Sequence, residues 1–153
     1  MAVAKWPPDM NTLEMEAENS LALASETVIH LPGGLLGFES IKRYILTRAE
    51  DGPFYWLQAE NDASLSFLVI APFDVEPDYA PDIPNEDVRS LGIECPDDVL
   101  LFNIVTLRPN GVSTVNLKGP IVINRFSRIG KQVIIGNSSE YSVQHRLPSD
   151  TEE

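Results

Sequence analysis

An all-β fold follows from three observations. Short runs rich in β-branched and aromatic residues, each bounded by Gly, Pro, Asn or Asp, recur from residue 27 onward. Several of these runs are apolar on both faces, so both faces must be covered. Few helices are available to cover them, and a sheet curled onto itself is the economical answer. The expectation is a small β-barrel-like domain or compact β-sandwich, with one short helix in a proline-rich acidic insertion. At 153 residues, one such domain is the natural count.

Residues 1–25 read as an acidic, mobile N-terminal extension. Asp9, Glu14, Glu16 and Glu18, with Glu26 at the edge, stand there against Lys5. Leu13, Ala17, Leu21 and Ala24 fall at helix-like spacing but make only a thin stripe. The domain is expected over 26–148, followed by a tail at 149–153. Strands are expected at 27–31, 53–59, 65–71, 99–108, 112–117, 121–124, 131–135 and 141–147, while 41–47 is ambiguous and leans to strand at Tyr44-Ile45-Leu46-Thr47. Pro109-Asn110-Gly111, Gly119-Pro120 and Gly136-Asn137-Ser138-Ser139 mark turns. The two-faced apolar runs are clearest where Phe67 and Val69 alternate with Leu68 and Ile70, and Leu101 and Val105 with Phe102 and Ile104. The helix is expected within 85–92: Asn85 can cap it, Glu86 and Asp87 suit its first turn, and Gly92 suits its end. It sits in an insertion at 72–96 that holds five of the twelve prolines.

Composition removes several functional classes. Asp and Glu number 23 against 11 Lys and Arg, for a net charge of -12. So acidic a surface repels phosphate backbones, which excludes direct nucleic-acid binding and favours cationic partners. One cysteine, Cys95, permits no intramolecular disulfide and no thiolate metal cluster. His30 and His145 alone make a weak metal site. No phosphate-loop glycine pattern and no Gly-x-Ser-x-Gly elbow is present. His145 is expected on an apolar strand face with Tyr141, Val143 and Leu147, which suits a structural histidine. No cofactor and no enzymatic activity are expected. With no apolar run of signal-peptide or membrane-spanning length, the expected compartment is the cytoplasm, with no membrane partner.

The charge is unevenly placed. Between residues 74 and 98 stand nine acids and one base, Arg89; between 118 and 146 stand five bases and one acid, Glu140. A solvated acidic loop is one reading. A docking surface for a basic partner is the other, with Phe73, Tyr79 and Ile83 as apolar anchors among the acids.

The segments Leu31-Pro32-Gly33-Gly34-Leu35-Leu36-Gly37-Phe38-Glu39, Pro53-Phe54-Tyr55-Trp56-Leu57-Gln58 and Ser66-Phe67-Leu68-Val69-Ile70-Ala71-Pro72-Phe73 resemble the flagellar assembly factor FliW family. So do Pro77-Asp78-Tyr79, Asn116-Leu117-Lys118-Gly119-Pro120-Ile121-Val122-Ile123-Asn124 and Gly130-Lys131-Gln132-Val133-Ile134. The resemblance runs from about Glu26 to Leu147, leaving residues 1–25 outside it. Leu36 departs from a proline common in the family's first loop, and Gly119 from a common alanine. The resemblance implies a non-enzymatic cytoplasmic protein that exchanges two partners, flagellin and the RNA-binding translational repressor CsrA. Holding CsrA relieves repression of flagellin translation, and accumulated flagellin displaces it. Asp74, Glu76, Asp78, Tyr79, Glu86 and Asp87 are the candidate contacts for CsrA, since an RNA-binding surface is basic. Leu35, Leu36, Phe38 and Tyr79 are the candidate apolar groove for a flagellin helix. The alternative from a different class is a small β-barrel ligand binder or an accessory hydrolase with a carboxylate site. A pocket lined by perturbed carboxylates or by both histidines would favour it.

Overall fold

The computed structural model describes residues 26–50, 53–107 and 112–147. The N-terminal extension, the Pro109-Asn110-Gly111 turn and the 149–153 tail lie outside the described residues.

Five strands form an antiparallel meander: β1 (Glu26–His30), β2 (Arg43–Arg48), β3 (Phe54–Ala59), β4 (Ser66–Ile70) and β5 (Val99–Thr106). The ambiguous run at 41–47 is thus a strand, because both of its edges find partners in β1 and β3. β5 is long enough to serve two neighbours. Its first half pairs with β7 (Ile121–Asn124), and its second half pairs with β4 and with the short β6 (Thr114–Val115). β8 (Gly130–Gln132) returns along β7, and β9 (His145–Arg146) adds to β6. A parallel bridge between His30 and Ile129, with the His30 amide donating to the Arg128 carbonyl at 2.9 Å, joins the two ends of the ring. The expected barrel-like all-β architecture is therefore present as β1-β2-β3-β4-β5-β7-β8 closed on β1.

Strand alternation divides the core in two. Ile29, Leu31, Leu35, Tyr44, Leu46, Tyr55, Leu57, Val69, Leu100, Phe102, Ile121 and Ile123 fill the barrel interior. Ile70, Val99, Leu101, Val105 and Val122 point outward from the same strands, and the insertion closes over them with Phe73, Val75, Tyr79, Ile83, Val88, Leu91 and Ile93. Curling the sheet thus covers only one face of β4 and β5. The proline-rich acidic segment covers the other, and each apolar side chain it buries contributes roughly 1.5–3 kcal/mol before entropy is counted.

Three local expectations are corrected. Helix α1 (Asn85–Ser90) begins one residue earlier than expected, so Pro84 rather than Asn85 occupies the cap position, and no side-chain cap forms. The expected strand at 131–135 is only Gly130–Gln132 by ladder pairing, although the Val133 and Ile135 amides still bond to Pro120 and Lys118 carbonyls. The strand expected at 141–147 shrinks to β9, preceded by a 3-10 turn at Ser138–Glu140. Val143 is consequently exposed and His145 half-buried, so no apolar strand face holds that histidine.

Candidate partner-binding surfaces

The acidic insertion is held by side chains from the C-terminal half. Pro72 opens a 3-10 turn (Pro72–Asp74), and the Glu76 and Tyr79 amides bond back to the Pro72 and Glu76 carbonyls. Tyr79 is fully buried, its hydroxyl donating to the Leu117 carbonyl at 2.6 Å. Its ring meets Tyr141 edge-on at 4.9 Å, and burial pushes its phenol well above the ordinary tyrosine range. The Ala80 amide donates to the Tyr141 hydroxyl, and Asn137 clamps the next turn by bonding the Ala80 carbonyl and the Asp82 amide. Farther on, Asn124 Nδ2 donates to the Leu91 carbonyl, satisfying the C-terminal end of α1 just before Gly92 turns at φ +68°.

These contacts sort the candidate acids. Asp74, Asp78 and Glu86 are exposed and Glu76 is half-buried. Asp87 is buried and ion-paired to Lys131 of β8, so it pins α1 to the barrel instead of facing a partner. Tyr79, Phe73 and Ile83 are likewise buried, which corrects the expectation of solvent-facing anchors. The aromatic and proline residues hold the segment down, and the carboxylates of Asp74, Asp78 and Glu86 stand outside.

The second surface is the loop after β1. Leu35 is buried in the barrel interior, and the Phe38 amide closes a turn onto its carbonyl at 2.7 Å. Gly34 sits at φ +67°, where a Cβ would fall 2.5 Å from the Glu39 Cα. Only glycine fits that position. The loop is tied to β8 by the Leu36 amide, which donates to Gln132 Oε1 at 2.9 Å, and Gln132 Nε2 in turn donates to the Gly119 carbonyl. Leu36 is left 61% exposed and Phe38 38% exposed, the latter edge-on to Phe67 at 5.2 Å. Ile134, also exposed, lies beside Gly119, whose carbonyl accepts from Gln132 Nε2. Sequence reasoning missed Ile134, whose only signal is an exposed position beside the buried Val133 and Ile135. Tyr79 belongs to the other core, so the structure does not bring it to Leu35, Leu36 and Phe38.

Sites for metal or hydrolytic chemistry gain no support. Among the described residues no group of three or more His, Cys, Asp or Glu side chains is placed to hold a metal ion. A groove of about 320 Å³ is lined by Ser40, Ile41, Lys42, Arg43, Ala59, Asn61 and Asp62. It contains neither histidine. Its one carboxylate, Asp62, is held below its ordinary pKa by hydrogen bonds from Ser64, the wrong direction for a general acid at neutral pH. Desolvation and then Asp98 raise the Cys95 thiol, which disfavours the reactive thiolate.

The model of the family described as FliW protein matches residues 12–147. The chain belongs to the FliW family. It is 35% identical over 128 residues to the flagellar assembly factor FliW of Caldicellulosiruptor saccharolyticus, covering 83% of this chain and 84% of that protein. The FliW of Treponema denticola is 34% identical over 136 residues, covering 88% and 92%, and that of Geobacillus thermodenitrificans is 37% identical over 128 residues, covering 83% and 88%. A crystal structure of the flagellar assembly factor FliW superposes with a TM-score of 0.72 at 37% identity, covering 80% of this chain and 86% of that one. The FliW match begins at residue 12, so residues 12–25 fall inside the family region and not, as the sequence resemblance suggested, outside it. At Leu36, where a FliW-type loop was expected to carry proline, this chain uses the backbone N–H that proline lacks to reach Gln132.

Proposed function

We propose that this FliW-family protein acts in the cytoplasm, without enzymatic chemistry, by holding two protein partners in turn: flagellin and the translational repressor CsrA. The observation that carries the reading is the acidic insertion, a core-anchored layer with most of its carboxylates turned outward. A partner that must bind RNA presents a basic surface, and pre-ordered acids attract it while losing little entropy on binding. Asp74, Glu76, Asp78 and Glu86 form the CsrA-facing set, and Asp87 supports them from beneath. Leu36 and Phe38, seated on Leu35, form the flagellin-facing patch, and an amphipathic helix is the matching ligand. Holding CsrA would relieve flagellin messages from repression, and flagellin would reverse this by displacing CsrA.

Calorimetric titration of purified CsrA and flagellin into the full chain tests the two assignments separately. Replacing Asp74, Glu76 and Asp78 together by Lys is expected to weaken CsrA binding at least tenfold at low salt and to flatten its salt dependence. Leu36→Asp is expected to weaken flagellin alone. Unchanged CsrA affinity at low salt in the folded triple variant refutes the acidic-layer reading.

A further inference from the structure

The two candidate surfaces meet on the two faces of β8. Lys131 points to the side covered by the insertion and pairs with the buried Asp87, which holds α1 down. The next residue, Gln132, points to the opposite side, as strand alternation requires. Its Oε1 accepts from the Leu36 amide at 2.9 Å, and its Nε2 donates to the Gly119 carbonyl at 3.1 Å. Adjacent residues of one three-residue strand therefore hold the acidic layer and the Leu36–Phe38 patch.

The strand between these two contacts is stiff. The Val133 and Ile135 amides continue its pairing onto the Pro120 and Lys118 carbonyls, and both side chains are buried beneath the insertion. At Gly130 a Cβ would fall 2.8 Å from Ile123 and 3.2 Å from Leu31, so β8 runs hard against the barrel wall and the root of the loop. The loop tip is the softer part. Among the described residues, the Leu36–Gln132 bond is the only hydrogen bond joining 33–38 to a strand outside the loop. Gly33 and Gly37 stand in open space on either side of Leu36, while the buried Leu35 keeps the loop anchored.

The acidic layer and the patch rest on separate cores, so one partner displaces the other only through the body of the protein. We propose that β8 is that connection. CsrA takes the arrangement described here, with Leu36 on Gln132 and Lys131 on Asp87. A flagellin helix seated on Leu36 and Phe38 draws the loop tip off Gln132, shifts β8 and loosens α1. This rests on the two-surface reading and adds the means by which flagellin displaces CsrA from a site it does not share. Such coupling is reciprocal, so bound CsrA resists flagellin by the same factor.

Calorimetric titration of purified CsrA into the full chain, with and without saturating monomeric flagellin, reads the coupling as a ratio of CsrA affinities. The wild-type ratio is expected to be at least about tenfold. Gln132→Met keeps the side-chain length and neither hydrogen bond, and is expected to bring the ratio within about threefold of one, whatever its affinity for each partner alone. Lys131→Met is expected to do the same from the other face, and Lys131→Arg, which keeps the cation, to retain the wild-type ratio. A wild-type ratio within about threefold of one, with both partners bound together, overturns the coupling and leaves the two-surface reading standing. A wild-type ratio that persists in folded Gln132→Met and Lys131→Met also overturns it, by showing that the two partners overlap. Failure of either partner to bind the wild-type chain overturns the two-surface reading itself, and the coupling falls with it.

Discussion

Tyr79→Phe separates a core post from a surface anchor. The substitution keeps the ring that packs on Tyr141 and Phe73 and removes only the hydroxyl that donates to the Leu117 carbonyl at 2.6 Å. No cavity opens, so the cost is the lost hydrogen bond plus a carbonyl left unpaired in a fully buried place. That amounts to about 2 kcal/mol, or roughly 4 to 8 °C in Tm for a chain of this length. Urea unfolding followed by circular dichroism measures it. A pH series adds a second signature. Burial raises the folded phenol above its ordinary value of 10.0, so the neutral form is the one the fold favours. The associated stability is complete below pH 10 and falls as pH rises from there toward the folded value, because the unfolded chain loses its proton first. The Phe variant should show a shallower alkaline decline, the remainder coming from groups such as Tyr44, also raised by burial. A loss under 0.5 kcal/mol with an unchanged alkaline slope refutes the core-post account. So does loss of partner binding at unchanged stability, which would make Tyr79 a direct contact.

Two further predictions concern the supports of the two surfaces. Gly34→Ala places a Cβ 2.5 Å from the Glu39 Cα at a positive φ and should destabilise by about 3 kcal/mol or more, read by thermal unfolding; a loss below 1 kcal/mol contradicts the loop geometry. Lys131→Met leaves Asp87 buried without its cation, and should cost about 1–3 kcal/mol after allowance for the half-exposed lysine end. Additional Asp87→Asn should recover part of that loss in a double-mutant cycle, and additive losses would show the pair to be uncoupled.

The strands were legible because their pattern is local: β-branched and aromatic runs between turn residues place β3, β4, β5 and β7 within a residue or two. The insertion was harder. Its acids and prolines mark it as exposed, and most of the acids do stand outside, but Pro72, Pro81 and Asp87 are buried, and Phe73, Val75, Tyr79, Ile83, Val88, Leu91 and Ile93 recur among them as a buried underside. Read by itself, the insertion does not distinguish an apolar residue awaiting a partner from one already covering a sheet. The outward-facing Leu101 and Val105 of β5 needed that cover, and pairing those two facts would have found it. The Lys131–Asp87 pin and the Asn124 and Asn137 clamps join residues between 33 and 57 positions apart and carry no local signal. The Leu36–Phe38 patch was legible, since Gly34 and Gly37 force a turn that leaves few ways to bury both side chains.

The most direct test of the acidic layer is an NMR titration of CsrA into the full ¹⁵N-labelled chain at low salt. Shift changes are expected at Asp74, Glu76, Asp78 and Glu86, fading with added salt, while the Leu36–Phe38 loop stays in place. Changes confined to that loop or to the β7–β8 turn, with the insertion silent, would contradict the account.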